Sequence, residues 1–277
     1  MRAPLLPLLA SALLGCKPPP EAPTDLAQLC NYLFREAGED EEREDYLLAG
    51  IENLDTWLQQ DMEATSEGYT VDNLDQTIVE TLDIGNPSTS ALVGAAVAVD
   101  HDYSARGVAI ATAWADQEEV LAGNYDLYER EYFGDKDQFI GRQEMWLEAS
   151  SYSESSWAGI IKVNSTNWIQ FRWIETPDGW ALVHRSWLIE PAEVSWESIE
   201  VSAQYLLAVT LPAPWNGSGS VRMMTTWIDA DYGVDIENYA RNQIVSSMLK
   251  QGEMIDEWLA EQVEEHGDLD GILEAGG

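Results

Sequence analysis

The sequence predicts an α+β fold in which helices come first, a large antiparallel sheet follows, and one long helix closes the domain. Three observations support this. Apolar residues recur at helical spacing up to about residue 82, and β-compatible runs separated by turn residues then take over. From about Asp235 to Glu265 the spacing is helical again. A sheet and an amphipathic helix each have an apolar face, so we expect the long helix to pack across the sheet.

Residues 25–85 are predicted to be helical. Thr24 or Asp25 can cap a first helix that ends near Gly38, and apolar residues three and four apart continue a second helix to Leu58. A third segment covers about 70–82. The breaker residues at 85–88 then predict a domain boundary between this region and a second domain, 90–266.

In the second domain most segments are predicted strands, joined by turns at Asn164–Asn167 and Pro177–Gly179. A helix over Asp116–Tyr132 interrupts them, and residues 267–277 are expected to be a frayed tail. The predicted strands are, in chain order, Ala91–Val99, Gly107–Trp114, Phe139–Ala149, Trp157–Val163, Trp168–Ile174, Trp180–Ile189, Glu197–Leu211 and Ser220–Asp229.

The N-terminus has the features of a bacterial lipoprotein signal peptide. One positive charge, Arg2, precedes an apolar run, Leu5–Leu14, that is too short to span a bilayer. Leu13-Leu14-Gly15-Cys16 resembles the lipobox, which implies cleavage after residue 15 and lipid modification of Cys16. The alternative is an ordinary secretory signal whose apolar region happens to end in cysteine.

Residues 16–24 are proline-rich, which is typical of an extended tether that reaches about 25 Å. Under the enterobacterial sorting rule an aspartate after the acylated cysteine keeps a lipoprotein in the inner membrane. That position is Lys17, so we expect an exported cell-envelope protein anchored in the outer membrane. Only Cys30 is left to form a disulfide, so we expect no intramolecular disulfide and a buried Cys30.

The chain is strongly acidic, with a formal net charge of −36 from 50 acidic and 14 basic side chains. This balance excludes nucleic acid as a partner, because binding to phosphates needs lysine and arginine. It also argues against docking to anionic lipids through a basic patch. The acidity is explained either by solubility in salty surroundings or by binding of a cation or a basic partner.

Two stretches carry a resemblance to a known family. Ala113–Leu121 followed by Tyr125–Tyr128 is similar to an early strand-to-helix step, and Val221–Gly233 followed by Ile236 is similar to a last strand that runs into a closing helix. The order of elements over about 90–266 resembles the helix-grip fold of START lipid-transfer domains, pollen-allergen proteins and polyketide cyclases. The resemblance implies an apolar cavity under the last helix that holds a lipid, sterol or polyketide.

Strand alternation suggests which side chains line such a cavity. Arg185 would be a charge among aromatic residues, and a ligand carboxylate, phosphate or hydroxyl could be its partner. The alternatives for Arg185 are a bond to Glu148 or Glu190, or an outward-facing side chain. The candidate cavity residues are Phe171, Trp173, Val183, Arg185, Trp187, Met223 and Met248.

No motif for catalysis, a cofactor or a metal emerges from the sequence. The three histidines have no metal-ligand spacing, and Asp229–Asp235 and Asp268–Gly271 resemble calcium loops without their ligand register. An enzyme on this fold would need an inward group such as His184 or Glu144. We therefore favour a membrane-anchored lipoprotein that binds a hydrophobic small molecule and can transfer it. The alternatives are a structural lipoprotein without a ligand and a cyclase-like or hydrolase-like enzyme.

Overall fold

The structure is a computed structural model that describes residues 21–82, 84, 89–157, 161–196, 199–231 and 237–275. The signal peptide, Cys16 and the breaker residues 85–88 lie outside these ranges. The helices are α1 (Leu26–Glu36), α2 (Glu44–Ser66), α3 (Gln76–Val79), α4 (Ala105–Thr112), α5 (Gln117–Val120), α6 (Lys136–Ile140), α7 (Glu237–His266) and α8 (Leu269–Ala275), with a 3-10 turn at Glu41–Arg43. The strands are β1 (Tyr69–Thr70), β2 (Val93–His101), β3 (Leu127–Tyr132), β4 (Trp146–Trp157), β5 (Ile161–Thr176), β6 (Gly179–Leu188), β7 (Glu193–Val194), β8 (Glu200–Leu211) and β9 (Ser220–Asp231).

The strands of the described ranges form one antiparallel sheet in the order β1-β2-β9-β8-β6-β5-β4-β3, with β7 paired to β5. Helices cover both of its faces. We call the side that packs against α1 and α2 the α1 face, and the side that packs against α7 the α7 face. Side chains of the α1 face include Ala96, Val183, Tyr205, Leu207 and Trp227, and those of the α7 face include Val97, Phe171, Ala208 and Met224.

The helical hairpin α1–α2 packs on the α1 face and shares its core. Phe34 lies edge-on to Tyr205 and Trp227, with ring centroids 6.1 and 5.8 Å apart. Cys30 is fully buried as expected, accepts a hydrogen bond from the Thr225 hydroxyl at 3.3 Å, and has its pKa raised to about 12 by burial. The prediction of two N-terminal helices is confirmed, and they lie directly against the sheet.

The long C-terminal helix α7 packs across the α7 face, which confirms its predicted apolar stripe from Arg241 onward; the side chains of 236–240 lie outside the described residues. Met248, Ile255 and Leu259 are all buried. A Cβ atom added to Gly252 would lie 2.8 Å from Val99 Cγ1, which is closer than a side chain tolerates. Glycine at this position therefore lets the helix backbone come close to β2.

Two predicted elements change type. The segment predicted as strand Gly107–Trp114 is mostly helix α4; almost every residue of α4 is buried, so its apolar run shows no helical period. The predicted helix Asp116–Tyr132 is wrong beyond α5. Gly123 reverses the chain there at a φ of 82°, and Leu127–Tyr132 pairs with β4 as strand β3.

Three further expectations fail. Asn164–Asn167, predicted as a turn, lies inside β5, where pairing with β4 overrides local turn preference and the Ser153 and Ser165 hydroxyls are 2.9 Å apart. The predicted strand Phe139–Ala149 begins inside helix α6. The Asp135 carboxylate caps this helix by accepting hydrogen bonds from the backbone N–H groups of Asp137 and Gln138. Part of the expected tail is helix α8, whose Ile272 is fully buried. Within the described ranges, no helix has both the length and the apolar composition needed to cross a bilayer.

Candidate binding site between the long helix and the sheet

The candidate site is the interior between α7 and the α7 face, whose buried apolar side chains form two separate clusters. One lies on the β4–β5–β6 side and includes Phe171, Trp173 and Leu259. The other lies on the β2–β9–β8 side and includes Met224 and Met248. Along the sheet register, His184, Thr210 and Arg222 lie between these clusters.

Arg222 is the most unusual residue of this interior. It lies on β9, opposite Val99 on one side and Thr210 on the other, so it is next to the point where α7 comes closest to β2. Only 4% of its surface is exposed, and burial lowers its pKa to about 10. Its Nε and Nη1 have no hydrogen-bond partner in the described part of the chain.

His184 lies on β6 and faces the same interior. Its ring stacks on Phe171 with centroids 4.6 Å apart, and neither ring nitrogen has a hydrogen-bond partner in the described ranges. Burial lowers its pKa well below the usual value, and the positive charges of Arg222 and Arg130 lower it further. His184 is therefore a neutral imidazole at physiological pH, with one donor and one acceptor to offer.

The other polar groups of this region are mostly bonded to each other. His101 Nδ1 is 3.0 Å from Asp256 Oδ1 on α7. Arg130 donates to the carbonyls of Thr112 and Trp114 at 2.7 and 3.2 Å. These contacts use acceptors within the protein. Most of the buried side-chain atoms of this region that lack a hydrogen-bond partner among the described residues therefore belong to Arg222 and His184.

The described residues form a large antiparallel sheet with one long C-terminal helix across its face. The chain has a helix-grip fold. This confirms the predicted fold class. Of the groups that could serve catalysis in a helix-grip enzyme, His184 points inward, whereas Glu144 is exposed. No serine, cysteine or carboxylate of the described residues is hydrogen-bonded to the His184 ring.

Comparison with solved structures returns proteins of low sequence identity to this chain. A STAR-related lipid transfer protein from Xanthomonas axonopodis is 11% identical with a TM-score of 0.42, over 63% of this chain and 96% of that one. The human StarD13 (DLC2) lipid transfer and protein localization domain is 12% identical, with a TM-score of 0.36, over 76% and 95%. Human StAR-related lipid transfer protein 5 is 8% identical, also with a TM-score of 0.36, over 76% and 98%. No protein-family model and no curated protein sequence matches the chain.

The structure divides the seven predicted cavity residues between the two faces. Phe171, Trp173 and Met248 lie in the interior under α7. The other four, Val183, Arg185, Trp187 and Met223, lie on the α1 face. Alternation within each strand is as predicted, but β5 and β6 pair so that Phe171 lies opposite His184. The face of Phe171 therefore continues through His184, and Arg185 points the other way.

Arg185 has its partners within the protein. Its Nε donates to Gln170 Oε1 at 2.6 Å and its Nη1 to the Phe34 carbonyl at 2.8 Å. The guanidinium also lies over the rings of Phe34 and Trp187, at 5.6 and 5.4 Å from their centroids. Gln170 in turn donates to Glu148, so the carboxylate predicted as one alternative partner acts through an intervening amide. Arg185 joins the sheet to α1 and does not face the interior.

A separate pocket of about 350 Å³ opens on the other side of the sheet. Glu190, Glu200 and Asp229 line it together with Tyr205, whose hydroxyl has no hydrogen-bond partner in the described ranges. The pKa of Asp229 is raised by burial and then by the charges of Glu200 and Asp231. None of the predicted cavity residues lines this pocket. Among the described residues no three histidine, cysteine or acidic side chains are placed to hold a metal ion.

Sequence reasoning missed Arg222, although a signal for it exists. Val221–Ile228 is an apolar strand apart from its threonines, and Arg222 is the single charge within it. A charge in a strand that is buried on both faces needs a partner. Only the structure shows that Arg222 Nε and Nη1 find no such partner among the described residues.

Proposed function

We propose that this chain is an exported, lipid-anchored protein that binds a hydrophobic small molecule between α7 and the sheet. The observation that carries the proposal is the organisation of the α7 face. Two apolar clusters lie on either side of buried polar groups whose hydrogen bonds are not made within the described protein. Binding sites for small molecules have this composition, with mostly apolar walls and a few convergent polar groups.

Binding in this interior is non-covalent. The apolar body of the ligand packs against Phe171, Trp173 and Met248, and the polar groups between the two clusters set its orientation. The ligand enters when α7 moves away from β2. Transfer between membranes would then consist of loading at one membrane, closure of α7 and release at another.

The anchor is supported by the sequence. Leu13-Leu14-Gly15-Cys16 and the proline-rich segment after it suit a tether that holds the folded part close to a membrane. Metabolic labelling with an alkyne fatty acid should mark the wild-type protein and leave a Cys16→Ser variant unmarked. Equal labelling of both proteins, or of neither, would contradict the lipid anchor.

Ligand binding is tested on the chain from residue 16 with Cys16→Ser, which carries no lipid anchor. Native mass spectrometry and lipid extraction should recover a co-purifying hydrophobic molecule, and a panel of fatty acids and sterols should include a binder. Recovery of nothing, together with no binding in the panel, would favour a structural lipoprotein.

A second pair of variants tests the location of the ligand. Met248 is buried between α7 and the sheet, whereas Met145 is exposed. Met248→Trp should overpack the space between α7 and the sheet and weaken binding at least about tenfold, and Met145→Trp should leave binding unchanged. Equal binding by both variants would place the ligand elsewhere.

A further inference from the structure

Buried polar atoms without a protein partner are concentrated on one side of the sheet. The described residues contain seven such atoms, and only the Tyr205 hydroxyl belongs to the α1 face. The others belong to residues of the α7 face and α7: His101 Nε2, both ring nitrogens of His184, Nε and Nη1 of Arg222, and Trp258 Nε1. Three of these six atoms, those of Arg222 and Trp258, can only donate a hydrogen bond.

The charge of this interior is also unbalanced. Arg222 is protonated at neutral pH, no salt bridge of the described residues includes it, and Asp256 is engaged with His101. His184 contributes no charge because it is neutral there. Arg222 is thus a buried positive charge without a counter-ion among the described residues, and a neutral apolar ligand would leave it uncompensated.

Arg222 differs in this respect from the other buried arginines. Arg172 donates to the carbonyl of Gly38 and pairs with Glu44 at 3.4 Å, while Arg185 donates to Gln170 and Phe34. Those two arginines hold the N-terminal helices to the sheet. Arg222 makes no such connection and is available to a ligand.

We propose that the ligand is an amphiphile whose head is a monovalent oxyanion, as in the carboxylate of a fatty acid, held by Arg222 and His184. Nε and Nη1 of Arg222 and one N–H of His184 donate to the oxyanion, and its single negative charge balances the guanidinium. The apolar part of the ligand extends from this head into one of the two clusters, that of Phe171 or that of Met248. This inference rests on the proposed function and adds the chemical class of the ligand.

Titrations of the anchor-free protein with dodecanoic acid and with dodecanol, followed by tryptophan fluorescence, test the anionic head separately from ligand binding itself. The two molecules have the same chain length and differ in the charge of the head. The acid should bind at least about 30-fold more tightly than the alcohol, because charged hydrogen bonds are lost with the alcohol. Equal affinity for both would overturn the anionic head while leaving the proposed function in place. Binding of neither would overturn both.

Variants of Arg222 test its role as the positioning group. R222M should reduce the preference for the acid to below about threefold and leave alcohol binding intact, and R222K should retain part of the preference. R172M is the matched control, since it removes a buried arginine from the opposite face and should keep the preference of the wild type. An unchanged preference in R222M, or in R222K if R222M does not fold, would overturn the assignment to Arg222.

Discussion

Replacing Arg222 by methionine should stabilise the ligand-free protein. Arg222 carries a charge, is 4% exposed, and has two nitrogens without a partner among the described residues. Methionine has a similar reach and removes the charge. Loss of a buried arginine normally destabilises a protein, so a gain in stability would indicate that the charge of Arg222 is buried without a partner.

The size of the gain follows from the pKa of Arg222. A fall from 12.5 to about 10 corresponds to about 3 kcal/mol against the charged form in the folded state. At neutral pH this cost is present in full, because the group is charged in both the folded and the unfolded chain. Part of it is recovered by local relaxation, so we expect R222M to raise the free energy of unfolding by about 1–3 kcal/mol.

Arg185→Met is the comparison that makes the result decisive. Burial lowers the pKa of Arg185 to about 10 as well, but this side chain donates to Gln170 and to the Phe34 carbonyl. Its loss relieves a similar burial cost but leaves both acceptors unsatisfied and removes the contacts with α1, so the net change should be a fall of about 0–2 kcal/mol in the free energy of unfolding. Urea denaturation of the anchor-free proteins at pH 7.5, followed by circular dichroism, measures both changes. A loss of stability in R222M equal to that in R185M would refute the reasoning.

Three further predictions concern neighbouring features. The lowered pKa of His184 means that the folded state resists its protonation, so this contribution to stability is full above about pH 6.5 and is lost as the pH falls below that value. His184→Phe should remove this part of the pH dependence, measured by urea denaturation at about pH 7.5 and about pH 5. Burial and the charges of Glu200 and Asp231 raise the pKa of Asp229. Asp229→Asn should therefore stabilise the protein by up to about 1 kcal/mol at pH 7 and lose that advantage below about pH 4. Equal stability of the variant and the wild type at pH 7 would argue against repulsion among these carboxylates. A Cβ at Gly252 would lie 3.3 Å from Val99 Cβ, slightly closer than the ~3.5–4.5 Å of a disulfide, so a shift of α7 by a few tenths of an ångström lets Val99→Cys and Gly252→Cys form one. The oxidised double variant should exchange ligand at least about tenfold more slowly than its reduced form, and equal rates would exclude movement of α7 away from β2.

The order of the larger elements could be predicted from the sequence because their patterns are long. The stripe of α7 and the caps of the first helix are repeated or local signals, and both are found in the structure. Short apolar runs gave less information. Residues 105–112 form a helix buried on all sides, and such a run has neither a helical nor a strand period.

The candidate site was only partly predictable, because it depends on how neighbouring strands pair. Alternation shows that Phe171 and Arg172 face opposite ways, and likewise His184 and Arg185, but it does not show which residues of the two strands share a face. A shift of one residue in that pairing exchanges His184 for Arg185. From the sequence, Arg185 was therefore one candidate for a charge that faces a ligand, whereas in the structure Arg185 lies on the α1 face and Arg222 lies on the α7 face.

Photo-crosslinking tests the central claim most directly. The anchor-free protein is incubated with a fatty acid that carries a diazirine at the end of its chain, irradiated, digested and mapped by mass spectrometry. Labels should fall on β5 around Phe171 and Trp173 or on α7 around Met248, and excess dodecanoic acid should remove them. Labels confined to the pocket of Glu190 and Tyr205, or the absence of displaceable labelling, would contradict a ligand site between α7 and the sheet.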